Sequence, residues 1–148
     1  MTVVRLTVSH PQLAEAAELL DDCRQHYGAN PAPEVVESWI RDQMLADRMR
    51  VFAAGRGARL QAVCTASVVP ASLSLRTVWL VRDLYVDPDA RGSGLARDLL
   101  AHVADAARSE GAHRLSLQTE ADNERALRLY VKADFHPVDD VAVFDRVL

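Results

Sequence analysis

The run from residue 79 to residue 100, WLVRDLYVDPDARGSGLARDLL, constrains the fold more than any other part of the chain. An apolar stretch is followed by a proline, a turn with two glycines and a helical pattern, which together predict strand, loop and helix. The helix begins at Leu95, so its first turn lies inside the glycine loop. Gly92 and Gly94 have no Cβ and allow a ligand to approach the backbone closely.

A helix that begins in such a turn predicts an anion-binding site. The first N–H groups of a helix have no partner within the helix, and the helix dipole places about half a positive charge at that end. Phosphate groups bind at such positions. We therefore expect residues 91–96 to bind phosphate, and a diphosphate is the expected ligand.

The rest of the chain alternates strand and helix patterns. Strands are predicted at 3–8, 50–54, 59–69, 76–87, 113–119, 135–138 and 141–147. Helices are predicted from Pro11 to Cys23, from Pro33 to Met44, from Leu95 to Ser109 and over 123–132, the last one burying Ala126, Leu127, Leu129 and Tyr130. This order predicts an α/β fold.

Composition and length exclude several classes of protein. With 148 residues, of which 49% are hydrophobic, the chain is expected to form one domain, residues 1–148. No long apolar segment or signal-peptide pattern is present, so we expect a cytoplasmic protein without membrane contact. A net charge of −4 argues against a nucleic-acid partner. The five histidines and two cysteines lack ligand spacing, so no metal is predicted.

Two motifs follow one another in the chain. One is Arg91-x-x-Gly94-x-Ala96, which fits the pattern Q/R-x-x-G-x-G/A, and the other is Asn123-x-x-Ala126-x-x-Leu129-Tyr130-x-Lys132-x-x-Phe135. Together they resemble the motifs of the GCN5-related N-acetyltransferase (GNAT) superfamily. The resemblance covers residues 78–136. One departure is Asp134, where the family usually has a glycine in a left-handed helix cap, a conformation that Asp tolerates better than most residues.

The resemblance implies a mixed, twisted central sheet flanked by helices, with a V-shaped opening between two central parallel strands where acetyl-coenzyme A binds as cosubstrate. The backbone of Leu84, Tyr85 and Val86 would pair with the pantetheine arm like an added strand. The pyrophosphate would bind the turn that comprises Arg91, Gly92, Ser93, Gly94, Leu95, Ala96 and Arg97. For the two arginine side chains, simple solvation at the surface is the alternative.

The resemblance also implies direct attack by a primary amine in a ternary complex, without a covalent enzyme intermediate. Tyr130 would be the general acid that protonates the departing thiolate, although a core aromatic residue has the same helical spacing. Asn123 would bond the pantetheine, and N-capping of the helix is its alternative role. Cys23 and Cys64 lie outside both motifs, so an acyl-cysteine intermediate is not expected.

Two carboxylates are candidates for the base that deprotonates the amine. An alkylamine has a pKa near 10.4, so preparing the neutral nucleophile at pH 7 costs roughly 4 to 5 kcal/mol. Family members often place an acid near Asp83 and Glu120, and Asp83 is the better candidate. The alternative for both is a solvated carboxylate, or one that pairs with Arg82.

The acceptor is not specified by any motif. The strand Arg82–Pro88 and the ending Val143–Leu148 are similar to the diamine and polyamine acetyltransferase branch, which suggests a small cationic amine. Residues 27–47 and 70–76 are expected to shape the acceptor pocket. Polyamines and diamines, amino acids, aminoglycosides and protein or peptide amines all stay open as acceptors. A non-catalytic coenzyme A sensor or partner-binding domain is the alternative to an enzyme. A homodimer is expected, with the last strand pairing or exchanging across a two-fold axis.

Overall fold

A computed structural model describes all 148 residues and shows one five-stranded sheet with helices on both faces. The strands lie in the order β1 to β5; β1 to β4 pair antiparallel with their neighbours, and β4 pairs parallel with β5. The strands are β1 (Thr2–Leu6), β2 (Met49–Arg56), β3 (Arg59–Ala71), β4 (Arg76–Val86) and β5 (Ala112–Ser116). The helices are α1 (Leu13–His26), α2 (Pro33–Leu45), α3 (Leu95–Ser109) and α4 (Glu124–Lys132).

The predicted α/β architecture is therefore confirmed. None of the helices combines the length and the apolar character needed to cross a membrane. Strand alternation explains the two-sided core, because successive residues of a strand point to opposite faces. In β2, Val51 and Ala53 face a cluster with α1 and α2, whereas Phe52 and Ala54 face a cluster with α3.

The two parallel strands separate part-way along the sheet. β4 and β5 are paired from Thr77 to Leu80 and from Ala112 to Ser116, after which β4 continues alone on that side to Val86. This separation is the predicted V-shaped opening, and it leaves the second half of β4 without a neighbour on its β5 side.

A bulge at Arg82 changes which side of the sheet the following residues face. Thr65 of β3 lies opposite Asp83 and the next residue, Ala66, lies opposite Val81, so Arg82 is the extra residue. Before the bulge, odd-numbered residues such as Trp79 contact the α3 cluster. After it, Leu84 and Val86 contact the α3 cluster and Tyr85 contacts the α1 cluster.

The strands predicted over 135–138 and 141–147 are wrong. Residues 136–148 form no strand and are all exposed. Their apolar and β-branched pattern is compatible with a strand, yet a strand also needs a neighbour for its backbone groups, and none lies beside this segment. The left-handed backbone expected at Asp134 is observed, with φ at 63°.

Smaller corrections concern boundaries and burial. The first strand ends at Leu6 rather than 8, the first helix begins at Leu13 rather than Pro11, and β5 ends at Ser116 rather than 119. The predicted buried side of the last helix is wrong at Leu127, which is 40% exposed because no other element covers that side of the helix. Leu129 and Tyr130 pack against the α3 cluster, although α4 contains no fully buried residue.

Candidate active site

A cleft of about 1290 Å³ opens where β4 and β5 separate. Its walls come from the end of α1, the second half of β4, the turn before α3, the segment after β5, and α4. Every residue predicted for the site lines this cleft: Asp83, Leu84, Tyr85, Val86, Arg91, Gly92, Ser93, Gly94, Leu95, Ala96, Arg97, Glu120, Asn123 and Tyr130. The structure therefore brings the two sequence motifs together at one place.

The glycine turn places the N-terminus of α3 at the cleft. Gly94 is the N-cap of α3 with φ at 88°, a left-handed conformation, and no side chain caps the helix there. A Cβ at Gly94 would meet only the Asp98 carboxylate, at 4.0 Å, so the N-terminal N–H groups are open to a ligand.

The two arginines of the turn have different surroundings. The Arg91 Nε donates to the Val86 carbonyl at 3.1 Å, and its guanidinium lies 5.8 Å from the centre of the Tyr85 ring. Arg91 therefore ties the end of β4 to the turn. Arg97 is 63% exposed and lies 3.7 Å from the Asp98 carboxylate, so its side chain is largely solvated.

The open side of β4 offers backbone groups to a ligand. Leu84, Tyr85 and Val86 pair with β3 on one side, whereas β5 pairs with β4 only as far as Leu80. The N–H and C=O groups that point toward β5 beyond that residue have no strand partner and line the cleft. An extended ligand can fill that place by adding itself to the strand.

Asp83 is held by a buried hydroxyl. The Thr65 Oγ1 donates a hydrogen bond to the Asp83 Oδ2, and Thr65 is fully buried. Because of the bulge at Arg82, Asp83 faces the side of the sheet where the end of α1 packs. There, burial and then the charge of Asp83 raise the pKa of the Cys23 thiol to about 11.

Tyr130 lies half-buried on α4 at the wall of the cleft. Its ring packs edge-on against Phe135 at 6.0 Å between centroids. Burial raises the pKa of the Tyr130 hydroxyl, and repulsion from the anionic forms of Cys64, Tyr27 and Glu120 raises it further. The hydroxyl is consequently protonated at neutral pH and can donate a proton or a hydrogen bond.

Asn123 and Glu120 are positioned by the start of α4. The Asn123 Oδ1 accepts a hydrogen bond from the Ala126 N–H at 3.1 Å, which is the N-capping role. Glu120 is exposed, and hydrogen bonds from its own backbone N–H and from Thr119 and Asn123 lower the pKa of its carboxyl. A lowered pKa makes Glu120 a weaker base than an ordinary glutamate.

The sequence interpretation predicted Arg91 and Arg97 at the cleft but did not assign the basic face of α4 that also lines it. Six basic side chains line the cleft, against the two acids Asp83 and Glu120: Arg82, Arg91, Arg97, Arg125, Arg128 and Lys132. The last three lie at helical spacing on one face of α4, a signal that was present in the sequence. The cleft is therefore more basic than the chain as a whole, whose net charge is −4.

The end of α1 contributes Cys23, His26 and Tyr27, which sequence reasoning did not assign, apart from including Tyr27 in the region 27–47. Of 27–47 and 70–76, Tyr27 alone lines the cleft. This end of α1 is fixed by Asp21, which is 1% exposed and accepts hydrogen bonds from Arg24 Nη1 at 2.6 Å, Gln25 Nε2 at 3.1 Å and the Ala32 N–H at 3.0 Å.

The two thiols are poor nucleophiles. Cys64 is fully buried, and burial raises its pKa far above the ordinary value. With the pKa of Cys23 at about 11, both thiols are protonated at neutral pH. No group of three or more His, Cys, Asp or Glu side chains is arranged as a metal site.

Comparison with known proteins gives one matching family model and several related proteins and structures. The family model described as "Acetyltransferase (GNAT) family" matches residues 13–135. A protein of Bacillus subtilis (strain 168) named "Uncharacterized N-acetyltransferase YhfO" is 41% identical over 59 residues, so the match spans only 40% of the length of each protein. The crystal structure of a probable acetyltransferase is 27% identical, with a TM-score of 0.91, and covers 100% of this chain and 98% of that one. The structure of a predicted acetyltransferase with acetyl-CoA from Clostridium acetobutylicum is 12% identical, with a TM-score of 0.75, covering 97% and 95%.

Proposed function

We propose that the chain, which belongs to the acetyltransferase (GNAT) family, transfers an acetyl group from acetyl-coenzyme A to a primary amine of a small molecule. One observation carries this proposal. A single cleft contains an open helix N-terminus, an unpaired half-strand and a protonated tyrosine, Tyr130. These features suit the pyrophosphate, the pantetheine and the thioester of one ligand.

The charges of the cleft support acetyl-coenzyme A as the cosubstrate. Phosphates are bound well by helix N-termini and by arginine side chains. The N–H groups that begin α3 and the basic face of α4 (Arg125, Arg128 and Lys132) border the cleft from two sides. The amides of the pantetheine would then pair with the free backbone groups of residues 84–86.

The reaction needs no covalent enzyme intermediate. The neutral amine attacks the thioester carbon, the C–N bond forms, and the C–S bond breaks as the carbonyl is restored. Tyr130 donates its hydroxyl proton toward the sulfur as negative charge develops there. A thiol has a pKa of about 8.5 and tyrosine about 10, so complete transfer to a free thiolate is uphill by roughly 2 kcal/mol. Tyr130 therefore acts chiefly by a hydrogen bond to the developing thiolate, and the sulfur finally takes up the proton that the amine nitrogen releases.

Asp83 is the proposed base for the amine. It lies on β4 at the start of the unpaired half-strand, and its Thr65 partner fixes the carboxylate. Val86, three residues further along the strand, is about 10 Å away at 3.3 Å per residue and leads to the phosphate-binding turn. The amine would be activated at one end of the cleft while the phosphates are held at the other. Two carboxylates, Asp83 and Glu120, make that end attractive to a cationic acceptor.

Release of free thiol from acetyl-coenzyme A in the presence of different amines tests the proposal. The panel contains spermidine, short diamines, amino acids and a lysine peptide. Turnover with one class of small amine is expected and would identify the acceptor. Turnover with the peptide alone would replace the small-molecule acceptor by a protein amine. Tight coenzyme A binding without turnover would favour a sensor. The homodimer and the cytoplasmic location stay predictions.

Asp83→Asn and Glu120→Gln form a matched pair for the base, because each removes one negative charge from the same end of the cleft. We expect the Asp83 variant to lose most turnover at pH 7 and to recover part of it as the pH rises and more amine is neutral. The Glu120 variant should retain turnover. Equal losses in the two variants would contradict the assignment and indicate a shared electrostatic role.

A further inference from the structure

The hairpin between β2 and β3 reaches the phosphate-binding turn from outside the cleft. The Arg56 Nη2 donates a hydrogen bond to the Ser93 carbonyl at 3.1 Å. Ser93 and Gly94 line the cleft, whereas Arg56 does not. The guanidinium therefore contacts this carbonyl on the side of the turn that faces away from the cleft. Arg56 lies outside both sequence motifs, and the reaction proposed above assigns it no role.

The Ser93 carbonyl and the Gly94 N–H belong to the same peptide group. The chain contains no cis peptide bond, so this group is planar and trans, and its C=O and N–H point in opposite directions. A donor that holds the carbonyl on the outer side of the turn consequently directs the N–H toward the inner side. Gly94 does not fix this peptide group by itself, because glycine has more conformational freedom than any other residue.

Two further carbonyls of the turn accept hydrogen bonds from side chains. The Arg91 Nε donates to the Val86 carbonyl, and the Ser93 Oγ donates to the Ala90 carbonyl. The N–H groups of residues 92–97, by contrast, donate to no acceptor within the chain. These three oxygens are thus satisfied by side chains while the neighbouring N–H groups are free, which is the polarity that an anion requires.

The backbone of the hairpin at Arg56 is itself fixed against the turn. The Arg56 N–H donates to the Gln61 Oε1 at 3.1 Å, and the Asp87 N–H donates to the Gln61 carbonyl at 2.8 Å. Asp87 follows β4 directly and comes before the turn. Gln61 therefore ties the hairpin to the same segment at a second point, which does not depend on the Arg56 side chain.

We infer that Arg56 is a positioning residue for phosphate binding. Its hydrogen bond to Ser93 holds the Gly94 N–H toward the cleft before the ligand arrives, so that binding of the pyrophosphate requires no reorientation of this peptide group. Arg56 acts through the backbone and does not contact the phosphate. The inference rests on the proposed function, because the ligand concerned is the pyrophosphate of acetyl-coenzyme A.

Arg56→Ala and Arg59→Ala form a matched pair. The two arginines are cross-strand partners in the hairpin, both are exposed, and only Arg56 donates a hydrogen bond to the turn. Each variant removes one positive charge from the same place, and exposed substitutions of this kind leave the fold intact. By calorimetry in about 0.15 M salt, the dissociation constant of acetyl-coenzyme A should rise about 3- to 10-fold in Arg56→Ala, the net value of one hydrogen bond, and less than about 2-fold in Arg59→Ala. Equal losses would show that charge alone matters and would overturn the inference.

NMR of the free protein distinguishes a positioning role from direct contact with the phosphate. Isotopic labelling of glycine nitrogen limits the spectrum to six amide signals, and the signal missing in Gly94→Ala identifies Gly94. Without ligand, this signal should shift in Arg56→Ala and stay in place in Arg59→Ala. A weakened affinity with an unshifted Gly94 signal would mean that Arg56 contacts the phosphate itself, and the inference would fail.

The inference and the proposed function fail in different ways. If the parent chain does not bind acetyl-coenzyme A, the proposed function is wrong and the inference falls with it. If the parent binds and Arg56→Ala binds equally well, the phosphate site stands and only the role of Arg56 is refuted.

Discussion

Replacing Gly94 by alanine separates the two tasks of the glycine turn, which are to fold and to leave room for a ligand. The left-handed conformation costs an L-residue about 1 to 2 kcal/mol. Alanine also reduces the conformational entropy of the unfolded chain, and this offsets about 0.4 to 1 kcal/mol of the lost stability. A Cβ at this position meets no atom closer than 4.0 Å, so no steric term is added. The expected net loss in the free energy of unfolding is roughly 1 kcal/mol.

Gly111→Ala is the matched control for this loss. Gly111 follows α3 at its other end with φ at 77°, and a Cβ there has no neighbour within 4 Å. It does not line the cleft. Both variants should therefore lose the same stability within about 0.5 kcal/mol, as measured by urea unfolding without ligand.

Affinity for acetyl-coenzyme A should distinguish the two variants. The methyl group of the Gly94 variant projects where a phosphate would approach the first N–H groups of α3. Losing one hydrogen bond to a charged group costs about 1.5 to 3 kcal/mol. The dissociation constant measured by calorimetry should rise roughly 10- to 150-fold in Gly94→Ala and stay unchanged in Gly111→Ala. Unchanged affinity in both variants would refute the phosphate site, and a much larger loss of stability at Gly94 would refute the strain argument.

Three further predictions follow from individual contacts. Tyr130→Phe should lower turnover by about 10- to 150-fold in the thiol-release assay, the cost of one hydrogen bond to the developing thiolate, while calorimetry shows unchanged acetyl-coenzyme A affinity; unchanged turnover would remove Tyr130 from the mechanism. Asp21→Asn should reduce the free energy of unfolding by about 1 to 3 kcal/mol, against about 0.5 kcal/mol or less for Asp105→Asn. Both acids pair with an arginine three residues on at 2.6 Å, with side-chain exposures of 2% and 74%, so equal losses would contradict the role of burial. The raised pKa of Cys23, about 11 against an ordinary 9.0, adds stability that is complete below pH 9 and is lost as the pH rises to about 11. In Cys23→Ala, urea unfolding should show a smaller decline over that range, and an unchanged decline would contradict the assignment.

The cleft could be predicted from the sequence because its parts are encoded locally. The strand, the glycine turn and α3 follow one another in the chain, and the later motif identifies the helix that carries Tyr130. The fold brings those segments together, as expected. The basic face of α4 was equally local, at Arg125, Arg128 and Lys132, and could have been found from helical spacing.

What could not be predicted depends on partners that are distant in the chain. A β-branched, alternating segment such as 141–147 specifies a strand only if an edge is available to it, and no local pattern says which edge. The predicted burial of Leu127 on α4 is wrong for the same reason, since cover for this side chain must come from another segment. Asp21 is buried against the usual preference of aspartate, because a turn between α1 and α2 closes over its carboxylate.

The extra residue in β4 has a consequence for changes in chain length. Arg82 is exposed, so its side chain can be exchanged for many others with little effect on the core. Deleting it would make Val81 and Asp83 consecutive residues of a regular strand, still opposite Ala66 and Thr65, so the side chains from Asp83 to Val86 would keep their present faces. A one-residue deletion there would therefore remove the local bend of the bulge without inverting any side chain. In any alignment or redesign of this chain, position 82 is the place where β4 can lose one residue without changing which side chains face the core.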